Sequence, residues 1–466
     1  MTAAEVSSQL DSIANITVFF SIFERISLQN YYFFCKCANK FAYINKFLYL
    51  CALFSNRNMH IYFLIVRIAA FFGHKKARAL VQGQRATLAP EHVTKMKSLQ
   101  GCVWIHAASV GEFEQARPLI EKLREEQPHR RIVLTFFSPS GYEMRKDYEL
   151  VDAVLYLPFA TRKNANLFLE ALQPQIAIFV KYEFWPAYLK ALKKRGIKTY
   201  SISAIFRPTQ RFFRWYGKAS LGLLKCFTHI FVQDERSLQL LKTHGIPDAS
   251  IAGDTRFDRV SKVCRSIAEK RGTDGRLRII EQFIEGCERV IVAGSTWPKD
   301  EELLAQYMEQ YPETKLILVP HEIDEEHLHF IFNRFLGRFV RYTRVTPQTM
   351  LHANVLVMDQ MGLLSSIYGF GHAAYIGGGF GVGIHNTIEA AVYGLPVLFG
   401  PNYHHFREAQ GLIDAGAARS IKNYSELEAA LNTALDQYQE IGAKAAEYVQ
   451  SELGATEKIY TALFKN

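Results

Sequence analysis

Apolar residues along this chain switch between short unbroken runs and longer stretches in which they recur at helical spacing. Unbroken runs of strand length suit strands buried on both faces, as in a parallel sheet covered by helices. They predict strands at Val103 to His106, Ile132 to Thr135, Ala153 to Tyr156, Ile176 to Val180, Thr199 to Ser203 and His229 to Val232. A second series is predicted at Arg289 to Ala293, Lys315 to Val319, Val355 to Met358, Ala373 to Ile376 and Pro396 to Phe399. Residues 260 to 285 between the two series are charged and poor in such runs, and the chain closes on a helical stretch from Tyr424 to Phe464. Strands alternating with helices in two series predict two doubly wound α/β domains facing a cleft, with ligands outside the carboxyl ends of the strands.

Ahead of both series, Met59 opens MHIYFLIVRIAAFFG, apolar for about four turns, and the basic HKKARALVQGQR follows. The apolar stretch is too short to span a bilayer, which takes ~20 residues. Lys75, Lys76, Arg78 and Arg85 directly behind it fit a helix lying in an anionic membrane interface, and a buried core helix fits the apolar pattern equally well. Residues 1–58 carry no motif or repeat, and Glu5 and Asp11 do not suit a secretory signal. A start at Met59 would place them outside the native protein.

A chain of 466 residues, 49% hydrophobic and 21% charged, excludes a disordered protein. The net charge of +10 suits an acidic partner, whether phosphorylated lipid, anionic membrane or nucleic acid. Nucleic acid has no recognised binding motif here. Seven cysteines, without metal-ligand spacing, read as reduced thiols.

The candidate chemistry sits at predicted strand ends. AAYIGGGFGVGIHNTIEAAVYGLPVLFGP, residues 373–401, reads as strand, glycine-rich turn, short helix and strand, the shape of a nucleotide-sugar pocket. Its glycines permit positive φ and close ligand approach, Asn386 reads as an N-cap with Glu389 as capping-box partner, and free helix N–H groups attract anions. Ser109, Gly111 and Glu112 follow the first strand. Ser109 and Glu112 have capping-box spacing, and a carboxylate at a cleft mouth could equally take a proton from a hydroxyl nucleophile. Glu183 sits between aromatics in Lys181-Tyr-Glu-Phe-Trp-Pro186, as a solvated loop residue or a site residue. From 190 to 218 there are nine basic side chains and no acidic ones, Arg207 and Arg211 among them, a surface for phospholipid or for acceptor phosphates. Gly294, Ser295 and Thr296 end the first strand of the second series, as phosphate contacts or ordinary caps. His321, His327 and His329 have poor metal spacing.

Taken in order, S-V-G-E at Ser109 to Glu112, Glu183-Phe-Trp-Pro186, Ile202-Ser-Ala204, Gly253-Asp-Thr-Arg-Phe-Asp258, Gly294-Ser-Thr296, Met361-Gly362 with Tyr368, and His385-Asn386 with Glu389 resemble the Kdo transferases. These enzymes attach 3-deoxy-D-manno-octulosonic acid (Kdo) from CMP-Kdo to a lipid A precursor. The resemblance runs from about Met59 to the C-terminus. It implies a GT-B fold with an N-terminal interfacial helix, inverting transfer without metal or other cofactor, and residence at the cytoplasmic face of the inner membrane, against its anionic surface. Carried over, Glu112 would be the general base. Gly294, Ser295, Thr296, His321, Met361, Gly362, His385, Asn386 and Glu389 would bind the donor, and Ser109, Gly111, Glu183, Arg207 and Arg211 the acceptor. The implied domains are an extension over 1–58, an interfacial helix and basic linker over 59–85, an acceptor domain over 86–260, a CMP-sugar domain over 261–445 and a C-terminal helix over 446–466. Lys181 in place of the first acid of E-x-E-W-P, Trp297-Pro-Lys299 in place of H-E-G, His321-Glu322 in place of R-H, and Ile384 in place of a glycine mark a divergent branch. Another nucleotide-sugar enzyme of the same frame, a UDP-sugar transferase or epimerase, and a non-catalytic sugar-nucleotide binder remain as alternatives.

Overall fold

The computed structural model describes residues 56–215, 217–270, 274–335, 337–381 and 383–465. The first 55 residues, most of the expected extension, lie outside the described residues. Seven strands form the first sheet: β1 Val103–His106, β2 Ile132–Phe136, β3 Ala153–Tyr156, β4 Ile176–Val180, β5 Lys198–Ala204, β6 His229–Val232 and β7 Ala249–Ile251. Their order is β3-β2-β1-β4-β5-β6-β7, every pairing parallel. Seven more form the second sheet, also parallel throughout: β8 Val290–Thr296, β9 Lys315–Pro320, β10 Phe339–Arg341, β11 Val355–Val357, β12 Ala373–Ile376, β13 Val397–Phe399 and β14 Ala418–Ser420, in the order β10-β11-β9-β8-β12-β13-β14. The predicted runs become strands because helices cover both sheet faces. Every residue of β1, β2, β4 and β12 is buried, and each sheet carries one apolar cluster per face. The strand order reverses beside β1 in one sheet and beside β8 in the other, which puts the switch points where ligands bind.

Three short strands escaped the pattern. β7, β10 and β14 have three residues each and lie at or next to sheet edges, too short to show a period.

The expected division at 260/261 falls inside helix Thr255–Lys270, and the expected single C-terminal helix is two, Tyr438–Ser451 and Ala455–Phe464. They are broken at Gly454, whose φ of 96° no β-carbon tolerates cheaply. The last helix returns to the first domain, where Ile459, Tyr460 and Leu463 enter its core. Asp258 caps that helix, accepting from the N–H groups of Gly454 and Thr456 and from the Thr456 hydroxyl, all at 2.7 Å.

The apolar N-terminal stretch forms helix Asn56–Phe71, and the basic run behind it, expected as a linker, is itself helix Lys75–Thr87. Tyr62, Phe63 and Val66 bury one side of the first helix, with the Phe63 ring 4.1 Å from that of Phe159. The other side leaves Leu64 and Ile68 half exposed and Phe71 and Phe72 84% and 80% exposed. The core reading describes the first side, and the second side is exposed. Among the described residues, no helix is long and apolar enough to cross a membrane.

Candidate active site

Glu112 lies in the first turn of helix Val110–Glu126, just past β1. Its Oε2 accepts from both the backbone N–H and the hydroxyl of Ser109, at 2.9 Å each, so the capping box forms as expected. Capping does not exhaust this carboxylate. Solvent reaches it, yet protein crowds around it, and that desolvation, reinforced by the Glu183 carboxyl, pushes its pKa up to about 7. A base poised near neutrality is what proton abstraction from a sugar hydroxyl calls for. Gly111 beside it is exposed, with open space where a side chain would stand.

Glu183 departs from expectation. It is 2% exposed and turned inward, accepting from Trp185 Nε1 at 2.7 Å and lying 3.1 Å from His106 Nε2. It therefore cannot contact an acceptor directly in this conformation. His106, at the end of β1, had no predicted role. Its Nδ1 meets the carbonyl and hydroxyl of Thr135 at 3.1 and 2.9 Å, and burial pushes its pKa down to about 4. A carbonyl only accepts, so Nδ1 carries a proton. Nε2 lies beside Glu183 Oε2, and the Trp185 N–H points at both. This buried string crosses 77 residues of sequence and left no sequence signal beyond a histidine at a strand end.

Lys181 follows β4 in the left-handed region, φ 62°, which is costly for a residue with a side chain. Burial, then the nearby Arg256, lowers the pKa of its ammonium. Arg256 ties the two domains. Its guanidinium donates to Asp254 at 2.7 and 2.9 Å and reaches across to Glu408 at 3.0 Å. Arg207 also bridges them, donating to the carbonyl of His405 at 3.0 Å, while Arg211 is half-buried. Arg214 and Trp215 are exposed nearby, the latter at 87%.

In the second domain, the candidate donor residues lie at or after the ends of β8, β9, β11 and β12. Within the glycine turn, backbone N–H groups are engaged at several positions. Gly377 donates to Gly294, Gly381 and Gly383 to Gly378, His385 to Gly377, and Gly378 to the Asp300 carboxylate. Several glycines serve packing instead. A β-carbon at Gly294 would collide with the Tyr368 hydroxyl, and one at Gly377 with the backbone of Ser295 and Thr296. The Thr296 hydroxyl is buried and donates to Glu301 at 2.9 Å, so it too is turned from the cleft. Ser295, half-buried with φ 55°, remains at the strand end. Asn386 is not the N-cap, since the short helix Ile388–Ala391 begins after Thr387. It accepts from the Ile388 N–H at 3.1 Å and donates to Glu389 at 2.8 Å, and the second Glu389 oxygen accepts from the Ser365 hydroxyl at 2.8 Å. Met361 and Gly362, after β11, are exposed. The rings of Trp297 and His321 stack with centroids 4.8 Å apart, and the His385 ring packs tilted against His321 at 4.6 Å. Burial, then His321, pushes the His385 pKa down to about 4. Among the described residues, no three His, Cys, Asp or Glu side chains cluster as metal ligands.

Residues 81–259 match the family model described as 3-Deoxy-D-manno-octulosonic-acid transferase (kdotransferase). The chain is 28% identical over 356 residues to the 3-deoxy-D-manno-octulosonic acid transferase of Aquifex aeolicus, covering 74% of this chain and 89% of that one. It is 26% identical over 385 residues to that of Haemophilus influenzae, covering 78% and 86%. In fold it is similar to the UDP-GlcNAc 2-epimerase of Neisseria meningitidis bound to UDP-GlcNAc, with TM-score 0.58 at 16% identity over 78% of this chain and all of that one. Another similar structure is the putative UDP-N-acetylglucosamine 2-epimerase of Listeria monocytogenes, with TM-score 0.54 at 13% identity over 78% of this chain and 96% of that one. At such identities the likeness carries the two-domain GT-B fold and nothing about substrate.

Proposed function

We propose that the chain is a glycosyltransferase of the Kdo transferase family and that it moves Kdo from CMP-Kdo to a lipid A precursor such as lipid IVA, with inversion and without a metal. The observation that carries this reading is Glu112, a carboxylate at the cleft with its pKa raised to about 7. In the proposed step Glu112 takes the proton of the acceptor hydroxyl as its oxygen attacks the anomeric carbon of Kdo. CMP departs from the opposite side of that carbon with the bonding pair, which inverts the centre. The proposed division of labour keeps Ser109 and Gly111 beside the base and gives Arg207 and Arg211 the acceptor phosphates. Ser295, His321, Met361, Gly362, His385, Asn386 and Glu389 take the donor. Glu183, Gly294 and Thr296 act from behind, through Trp185 and His106, Tyr368, and Glu301 respectively.

The acceptor is lipid-bound, so the proposed place of work is the cytoplasmic face of the inner membrane. Support comes from helix Asn56–Phe71, whose exposed Phe71 and neighbouring Phe72 adjoin the basic helix Lys75–Thr87. A large exposed aromatic pair beside lysines suits acyl chains below and anionic headgroups above.

The deciding experiment incubates purified protein with lipid IVA and, in parallel, CMP-Kdo or UDP-GlcNAc, and reads products by mass. Lipid gaining the mass of Kdo from CMP-Kdo supports the proposal. Turnover of UDP-GlcNAc alone defeats it in favour of the epimerase reading.

A further inference from the structure

Asp300 and Glu301, side by side at the start of helix Pro298–Gln310, are both fully buried. Helix capping alone does not require this, because a cap carboxylate works at the surface, and burying two is costly. Desolvation accordingly raises the pKa of Asp300. The hydrogen bonds say what they do instead. Asp300 Oδ2 accepts from the backbone N–H of Trp297 at 3.0 Å and of Gly378 at 2.9 Å, and Oδ1 accepts from the Tyr375 hydroxyl at 2.7 Å. One carboxylate thus binds the loop after β8, strand β12 and the glycine turn after β12. Glu301 adds the Thr296 hydroxyl and, through His327 Nε2 at 2.9 Å, helix Glu325–Phe335. The Asp300 carboxylate occupies the Trp297 N–H at the helix start and the Gly378 N–H in the glycine turn, which an incoming phosphate would otherwise find.

What the clamp assembles is open to solvent at least in part. Trp297, His321 and His385 come from three different strand ends, yet their rings pack in a row. His321 is fixed to the Trp297 loop by its N–H on the Thr296 carbonyl at 3.0 Å. Gly378, which Asp300 holds, packs against the His385 ring closely enough that an added β-carbon would be crowded by it. Moving either loop would separate the rings.

We propose that Asp300 is a positioning residue for the donor: it fixes the distance between the Trp297 loop and the glycine turn, so that the Trp297–His321–His385 face meets the nucleotide half of the CMP-sugar. This rests on the donor reading above. Asp300 touches no substrate. Asn in its place keeps the shape but has one accepting oxygen where three donors converge.

The test measures KM for CMP-Kdo and for lipid IVA separately, and CMP affinity by titration calorimetry, in the wild type, Asp300→Asn and Tyr375→Phe. The expected result for Asp300→Asn is a rise in donor KM and CMP dissociation constant on the order of 10- to 100-fold, with acceptor KM unchanged. Tyr375→Phe removes one hydrogen bond and should move the same two quantities by less. It also carries the test if Asp300→Asn does not fold, and an unchanged donor KM there would overturn the proposal. A folded Asp300→Asn with wild-type donor KM, or with both KM values raised alike, would do the same. A wild type that binds CMP while Asp300→Asn binds it equally well defeats only the clamp. A wild type that ignores CMP and CMP-Kdo defeats the donor reading itself, and the clamp's purpose with it.

Discussion

Replacing Glu112 by Gln separates a catalytic carboxylate from a capping one, because the two roles predict opposite outcomes. The Gln side-chain oxygen can still accept from the Ser109 N–H and hydroxyl, so the capping box survives. What disappears is the ability to take a proton, worth ~10²- to 10⁴-fold in turnover. The structure adds a stability term. A carboxyl whose pKa is pushed from 4.5 to about 7 favours its protonated form in the folded state. Its stabilising contribution is complete below pH ~4.5 and is lost as pH rises through about 7. At 1.36 kcal/mol per tenfold, holding it ionised at pH 8 costs the fold about 3 kcal/mol, reduced to about 1–3 because solvent reaches the group. Glu112→Gln should therefore melt a few degrees higher than wild type at pH 8, and the gap should close at pH 5. Wild-type kcat/KM should fall as pH drops below about 7, the base being progressively protonated. The assays are turnover against pH and thermal melts at the two pH values. Near-normal turnover by folded Glu112→Gln would refute the mechanism, and a melting difference independent of pH would refute the electrostatic account of the site.

Arg256→Met strands the carboxylates of Asp254 and Glu408, both nearly buried, and should cost roughly 3–5 kcal/mol, read as the urea midpoint; a loss below about 1 kcal/mol would show that the interdomain pair contributes little. Gly377→Ala puts a β-carbon into the backbone of Ser295 and Thr296, where nothing flexible can yield, so CMP binding should fall by more than tenfold while the circular dichroism stays native; intact binding would show that the turn can shift without consequence. His327, hydrogen-bonded to Glu301, has its pKa raised in the fold, so its stabilisation is fully present below pH ~6.5 and fades as pH rises through the folded value. The wild type should therefore exceed His327→Gln in melting temperature more at pH 6 than at pH 9, and a gap equal at both would disprove that pairing.

The sequence by itself determined the two parallel sheets, because strands buried on both faces must be apolar without interruption, and it marked Glu112 by its place after one of them. It could also place the glycine turn, since only a positive φ or a close approach demands so many glycines. Tertiary structure alone decided what those residues face. Gly294 and Gly377 leave room for Tyr368 and for the backbone at the end of β8 rather than for a ligand. Glu183, in an aromatic loop that reads as solvated, turns inward because His106 and Trp185 wait there. Asp300 and Glu301 look like ordinary caps until their partners on β12, the glycine turn and helix Glu325–Phe335 come into contact. The reason is the same each time: local pattern records which residues are hidden and which backbone turns are allowed, while hydrogen bonding and desolvation depend on partners brought near only by the folded chain.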